Sequence, residues 1–251
     1  MKIAALYDIH GNLPSLNAVL EELKEVQPDL ILVGGDIVSG PMPGQTLERL
    51  CELGDQVRFI RGNGDREVVT AYDGMPLPNM SEKGREKTYW VAEQLTRSQR
   101  DFLAQLPEQI TLHIKGLGDV LFCHATPHSD EEIFTPITSQ ERLASIFTGI
   151  EHQIVVCGHT HIQFKMQVEG VCILNAGSVG MPYADRPGAY WLLLSPEGYE
   201  FRWTMYDGEA AAQEVRASGD PQAEEFAKKN VLNIPTANEA MEVLERMAKN
   251  R

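Results

Sequence analysis

Seven side chains of metal-ligand type stand directly behind apolar runs in this chain. Asp8 and His10 follow IAALY, Asp36 follows LILVGG, Asn63 follows VRFIRG, His124 follows DVLFC, and His159 and His161 follow QIVVCG. One histidine at a strand end is ordinarily a satisfied structural residue. Five separate strand ends each supplying Asp, His or Asn form a pattern that chance would scatter over helices and loops, and four of the seven histidines belong to it. Carboxylates and neutral imidazoles together suit borderline divalent ions such as Mn²⁺, Fe²⁺, Ni²⁺ or Zn²⁺, whereas all-oxygen sites suit Mg²⁺ or Ca²⁺. Seven ligands exceed what one such ion with an open position accepts, but they suit two ions sharing a carboxylate. Two ions ~3.5–4 Å apart can hold a bridging hydroxide, orient a phosphoryl group and stabilise its oxygens during in-line displacement. Gly11, Gly35, Gly62 and Gly158, beside the ligands, let backbone and ions approach closely.

The elements that must position these residues follow from hydrophobic patterning. Strands are expected over 3–7, 30–33 and 57–60, each ending in polar, glycine-containing text. Between the first two lies an amphipathic helix with Leu13, Leu16, Val19, Leu20, Leu23 and Val26 on one face, Asn12 as N-cap and Pro14 in its first turn. A second helix is expected over 45–53, and the middle of the chain reads as helical over 82–95 and 98–106. Strand patterns return over 110–114, 120–123, 154–157, 171–174, 190–194 and 199–205. Thr138-x-x-Glu141 has the capping-box pattern before a short helix containing Leu143, Ile146 and Phe147. Helices are expected again over 221–229 and, after Thr236-x-x-Glu239, over 239–249. An early strand–helix–strand unit followed by clustered strands implies an α/β fold of two packed, mainly mixed β-sheets flanked by helices, not one doubly wound sheet. The expected organisation is a single domain over 1–251, with a core over about 1–206 and a C-terminal helical extension over about 207–251. The acidic, alanine-rich extension would cap a sheet or mediate self-association into a homo-oligomer.

The 251 residues carry 22 Lys+Arg against 36 Asp+Glu, a net charge of −14, and 43% are hydrophobic, enough for a sizeable core. Such acidity disfavours long nucleic acid or an anionic membrane as partner. It leaves room for a small anionic substrate, because bound cations locally invert the field. Cys51, Cys123, Cys157 and Cys172 form no CxxC pair, and three of them lie in apolar runs, which points to a reducing, cytoplasmic setting. The apolar run after Lys2 is too short for a signal-peptide core, and no stretch approaches the ~20 residues of a membrane span.

Asp8-x-His10, Gly35-Asp36, Gly62-Asn63-x-Asp65, His124 and Gly158-His159-x-His161 together resemble the motif set of the calcineurin-like metallophosphoesterase superfamily. The flanking Asp-Ile-His-Gly-Asn-Leu-Pro and the run from Asn175 to Gly180 resemble its small bacterial and archaeal phosphodiesterase branch, which includes proteins that split diadenosine tetraphosphate. The resemblance implies that Asp8, His10 and His161 hold a first ion and that Asp36 bridges. Asn63, His124 and His159 would hold a second. Asp36, Asn63 and His124 are then the expected catalytic core, with Asn12 and Arg66 on the substrate side. One position departs from the family: where many members carry a histidine after the Asn, assigned to transition-state stabilisation or leaving-group protonation, this chain has Gly64. A poor alkoxide leaving group suffers most from losing an acid. Phosphodiesters and nucleoside polyphosphates are therefore favoured over protein phosphomonoesters, with a non-catalytic scaffold of the same fold as the alternative from another class. His128 and Tyr183 are candidate substitute donors, and Arg61 and Arg186 candidate phosphate contacts. Asp65 is expected to cap or orient its loop, Tyr183 and Pro182 to shape a base or nucleoside pocket, and His113 and His152 to be structural or solvated.

Overall fold

The computed structural model describes residues 1–249. Strands β1 (Ile3–Leu6), β2 (Leu30–Val33) and β3 (Val57–Phe59) run parallel, with α1 (Leu13–Val26) and α2 (Pro43–Cys51) between them. Helices α3 (Asn63–Tyr72), α4 (Glu82–Glu93) and α5 (Arg97–Ala104) follow. Next come β4 (Gln109–Ile114), β5 (Gly118–Cys123), α6 (Gln140–Ile146), β6 (Ile154–Cys157), β7 (Gln163–Val168), β8 (Val171–Ala176), β9 (Ala189–Ser195) and β10 (Gly198–Thr204). The chain closes with α7 (Gly208–Ala217), α8 (Ala223–Phe226) and α9 (Ala237–Lys249).

The strands form two five-stranded mixed sheets, ordered β10-β9-β1-β2-β3 and β4-β5-β6-β8-β7. Period-two alternation divides β1 between two cores. Ile3, Ala5 and Tyr7 face the second sheet with Leu32, Phe122, Val156 and Leu174, while Ala4 and Leu6 face the helices with Leu16, Val19 and Leu47. Strands buried on both faces read as unbroken apolar runs, which is how they were legible in the sequence. On the outer face of the second sheet, Phe134, Leu143, Phe164 and Ile173 pack under Ala240 of α9. Full burial of each such aliphatic or aromatic side chain contributes roughly 1.5–3 kcal/mol.

Several elements differ from the sequence expectation. The polar Asn63-Gly64-Asp65 opens α3, because the Asp65 carboxylate accepts from Gly62 N (3.1 Å) and satisfies the helix start. Strand β7 was missed because it is half exposed and carries Lys165 among polar residues. Helix α7 starts behind Asp207, whose Oδ1 accepts from Ala210 N (3.1 Å). Ser139, not Thr138, caps α6. Thr138 Oγ1 instead accepts from Thr135 N (2.8 Å) and donates to Glu245. The helix expected over 221–229 is found as α8, which continues without a break into a π-helix, Ala227–Leu232. Thr236 and Glu239 do form the capping box of α9, with Thr236 N donating to Glu239 Oε2 (2.9 Å) and Glu239 N to Thr236 Oγ1 (3.3 Å).

Candidate metal centre

The C-terminal ends of β1, β2, β3, β5 and β6 release their chain into tight turns that gather the seven candidate ligands. The backbone is strained where it does so. Among the described residues seven non-glycines have positive φ, and five of them are Asp8, His10, Asp36, His159 and His161 (φ +49° to +66°). L-residues avoid this region, and such strain persists only where surrounding structure over-determines it. Here the turns are pinned to one another: His10 N donates to Asp36 O (2.8 Å), Gly11 N to Ile37 O (2.8 Å), Gly158 N to His124 O (2.8 Å) and Gly180 N to Asp8 O (3.0 Å). The Asn175–Gly180 segment is part of this bracing. Asn175 Nδ2 donates to Gly158 O (2.7 Å), and Ser178 Oγ donates to Asp8 O (2.7 Å).

Two ligand groups form, Asp8 with His10 and His161, and Asp8 with Asp36 and His124. Within each, the ligating atoms lie within 4.8 Å of one another. Asp8 Oδ1 lies 3.5 Å from His161 Nε2 and 3.9 Å from both His10 Nε2 and His124 Nε2. The two oxygens of Asp36 face apart: Oδ2 is 3.6 Å from His10 Nε2 and Oδ1 is 3.5 Å from His124 Nε2. One end of the Asn63 carboxamide lies 3.1 Å from His159 Nδ1 and 3.3 Å from His124 Nε2. With its oxygen at that end, three lone-pair donors converge; with its nitrogen there, the amide hydrogen-bonds both imidazoles.

This donor set fits divalent ions. Asp8 Oδ1 is buried and accepts no hydrogen bond among the described residues. His124 Nδ1 is 2.8 Å from Gly34 O, His161 Nδ1 is 2.7 Å from Met181 O and His10 Nδ1 is 3.4 Å from Ser39 O. A ring nitrogen facing a carbonyl carries the proton, so each Nε2 turns its lone pair toward the carboxylates, as metal-ligating imidazoles do. Burying several carboxylates without cations is costly, and no Lys or Arg pairs with Asp8, Asp36 or Asp65 among the described residues. Burial and then the Asp8 charge, against His124, push the Asp36 carboxyl up. Burial also raises Asp8, but the neighbouring His161, with His124 and His10, overturns this and holds it low. Burial and the His161 charge depress His10; His124 resists burial through Asp36 and Asp8 and is raised.

Other expected site residues take different places. Asp65 orients the turn: Oδ1 accepts from Ile37 N (2.8 Å) and Val38 N (3.3 Å), and burial followed by the Asp36 charge pushes its carboxyl up to about 7. Asn12 is fully buried, accepting from Ser15 N (3.3 Å) and donating to Gly180 O (2.9 Å), so it braces the Asp8 loop from beneath. Arg66 makes a bidentate pair with Asp130 (2.8 and 3.0 Å). Tyr183 stacks on the His161 ring (centroids 5.3 Å apart, 25° between planes), beside the ligand cluster. Arg61 pairs with Glu108, Arg186 lies 3.5 Å over Trp203, and exposed His128 faces Thr148 O. His113 pairs with Asp119 (2.7 Å) on the solvent-exposed surface, and His152 with Thr111 (3.0 Å). Two contributors escaped the sequence reading. Asp130 meets Arg66 across 64 positions. Lys87, on α4, has no local motif; burial lowers its pKa, against the charges of Asp220 and Asp36.

Two buried Asp–His groups at the edge of a two-sheet sandwich define a metallophosphoesterase-type centre, and residues 1–196 match the calcineurin-like phosphoesterase superfamily domain. The chain belongs to that superfamily and is a phosphoesterase. It is 30% identical over 197 residues to the uncharacterized protein MJ0912 of Methanocaldococcus jannaschii, covering 77% of this chain and 74% of that protein. It is 25% identical over 202 residues to phosphodiesterase YfcE of Escherichia coli, covering 77% of this chain and 87% of that one. Its fold matches the crystal structure of the hypothetical protein PH1004 from Pyrococcus horikoshii with a TM-score of 0.78 at 20% identity, covering 94% of this chain and 99% of that one.

Proposed function

We propose that the chain hydrolyses phosphodiesters or nucleoside polyphosphates at a dinuclear centre, with Asp8, His10 and His161 at one ion and Asn63, His124 and His159 at the other. The opposed oxygens of Asp36, one toward His10 and one toward His124, carry this reading, because a shared carboxylate must face both ions at once. Mn²⁺, Fe²⁺, Ni²⁺ or Zn²⁺ suits the mixed imidazole and carboxylate donors, and a pair of such ions supplies charge to stabilise phosphoryl oxygens and to activate an attacking water. The protein's own part is positioning. Gly64 N donates to Asp36 Oδ1 (2.7 Å), His159 N donates to Asp8 Oδ2 (2.8 Å), and both carboxylates are thereby held in one orientation. No imidazole stands at position 64, so substrates with stable leaving groups are favoured; one relative is named a phosphodiesterase. A reducing, cytoplasmic setting agrees with four free cysteines, of which Cys123 is pushed up to about 12 by burial. No helix among the described residues is long and apolar enough to cross a membrane. The test is kcat/KM, after reconstitution with Mn²⁺, for bis-p-nitrophenyl phosphate and diadenosine tetraphosphate against a phosphoserine peptide. Preference for the peptide by tenfold or more overturns the substrate class. Saturation at one transition ion or fewer per reconstituted chain overturns the dinuclear centre.

A further inference from the structure

A cleft of about 930 Å³ opens beside Asn63, bounded by α3, the loop over 73–81 and the end of α9. That volume is in the range of small-molecule sites, and the cleft adjoins a proposed metal ligand. Its apolar wall is Leu77, Met80 and Met247; its polar wall is Arg66, Glu67 and Glu131. The loop is held in place. Arg85 Nη1 donates to Met80 O (2.8 Å) and Thr88 Oγ1 to Met80 Sδ (3.3 Å). Helix α9 is tied down by Glu245, which accepts from Thr135 Oγ1 (2.6 Å) and Thr138 Oγ1. This tether gives the 44% exposed Met247 a fixed place at the cleft instead of free in solvent.

Charge decides what the cleft accepts. The Arg66 guanidinium is already committed to Asp130 and lies 3.4 Å from Glu131, so its positive charge is matched before any ligand arrives. Glu67 and Glu131 then leave the polar wall acidic. A chain of phosphates lying there would face carboxylates, whereas a neutral group with N–H or O–H donors would find acceptors on one side and thioether and aliphatic surface on the other.

We propose that this cleft binds the non-reacting organic arm of a phosphodiester, an uncharged aromatic group of nucleoside size carrying hydrogen-bond donors. The proposal rests on the phosphodiesterase reading above. The test uses the full chain reconstituted with Mn²⁺ and two substrates sharing one leaving group, thymidine 5′-(p-nitrophenyl) phosphate and methyl p-nitrophenyl phosphate. The expected result is a KM at least tenfold lower for the nucleoside ester. Asn79→Trp, which fills the cleft, and Met247→Glu, which adds charge to it, should each raise that KM at least fivefold while leaving the methyl ester within twofold. Hydrolysis of both esters with KM values within twofold overturns the cleft assignment alone. So does a variant that shifts both esters equally. Hydrolysis of neither ester by metal-loaded protein overturns the phosphodiesterase reading and this one with it.

Discussion

The backbone of the metal centre should betray itself in a comparison of glycine with alanine. His159 sits at φ +66° and is half-buried, so replacing it with either residue removes the same imidazole. The two variants differ in a single Cβ. In the left-handed region that Cβ costs about 1–2 kcal/mol, against which glycine loses about 0.4–1 kcal/mol through the greater freedom of its unfolded chain. His159→Gly should therefore be more stable than His159→Ala by roughly 0.5–1 kcal/mol. For a chain of this size that is about 1–4 °C in Tm. Glu86, exposed in the right-handed interior of α4, supplies the opposite sign: there Ala should exceed Gly by about 1 kcal/mol. The assay is thermal unfolding followed by circular dichroism in EDTA, which removes metal affinity from the comparison. If His159→Ala equals or exceeds His159→Gly, the turn relaxes when the ligand is lost, and strain stored in the metal-free fold is the wrong account.

Asp36→Asn should lower turnover by more than about 100-fold and reduce metal content measured by mass spectrometry. The metal-free protein should keep or raise its Tm, because the replaced carboxylate is one that burial disfavours. Asp65→Ala leaves Ile37 N, Val38 N and Gly62 N without their acceptor and should cost about 2–4 kcal/mol in urea unfolding; a loss below about 1 kcal/mol would mean the turn finds other acceptors. Burial raises Asp130, but the hydrogen bonds and charge of Arg66 overturn this and hold its carboxyl low. Its folded value then lies below its unfolded value, so the pair stabilises the fold above the unfolded value, about 3.9, and loses that contribution as pH falls through the folded value. The Tm deficit of Arg66→Gln should thus be full at pH 7 and vanish in strong acid; a deficit independent of pH refutes the ion pair as its source.

What was legible in the sequence and what was not divide along one physical line. Strand ends could be read because a strand buried on both faces is an unbroken apolar run, and the ligand that ends it stands at the next position or two. Ile3–Leu6 before Asp8 and Ile154–Cys157 before His159 are of this kind. Helix α3 was hidden because its first turn is the ligand loop itself, whose Asn, Gly and Asp carry turn chemistry until the Asp65 carboxylate is seen closing on Gly62. Long-range pairings left no local trace. Nothing near Arg66 announces Asp130, and nothing in the amphipathic pattern of α9 announces that Met247 faces the α3–α4 loop.

Position 64 shows how packing turns a local departure into a statement about substrate. A Cβ placed on Gly64 would collide with Ser39 Oγ and stand 3.0 Å from Asp36 Oδ1. A side chain at position 64 would therefore need the Ser39 hydroxyl to turn aside and would crowd the carboxylate expected to bridge. Gly64 N donates to that same carboxylate, so a bulkier residue would disturb the ligand as well as crowd the serine. With no acid there, leaving-group stability must come from the substrate, which favours aryl esters and anhydrides over alkyl esters. The acidic cleft beside Asn63 then bears on which diesters, because it favours an uncharged arm over a further phosphate.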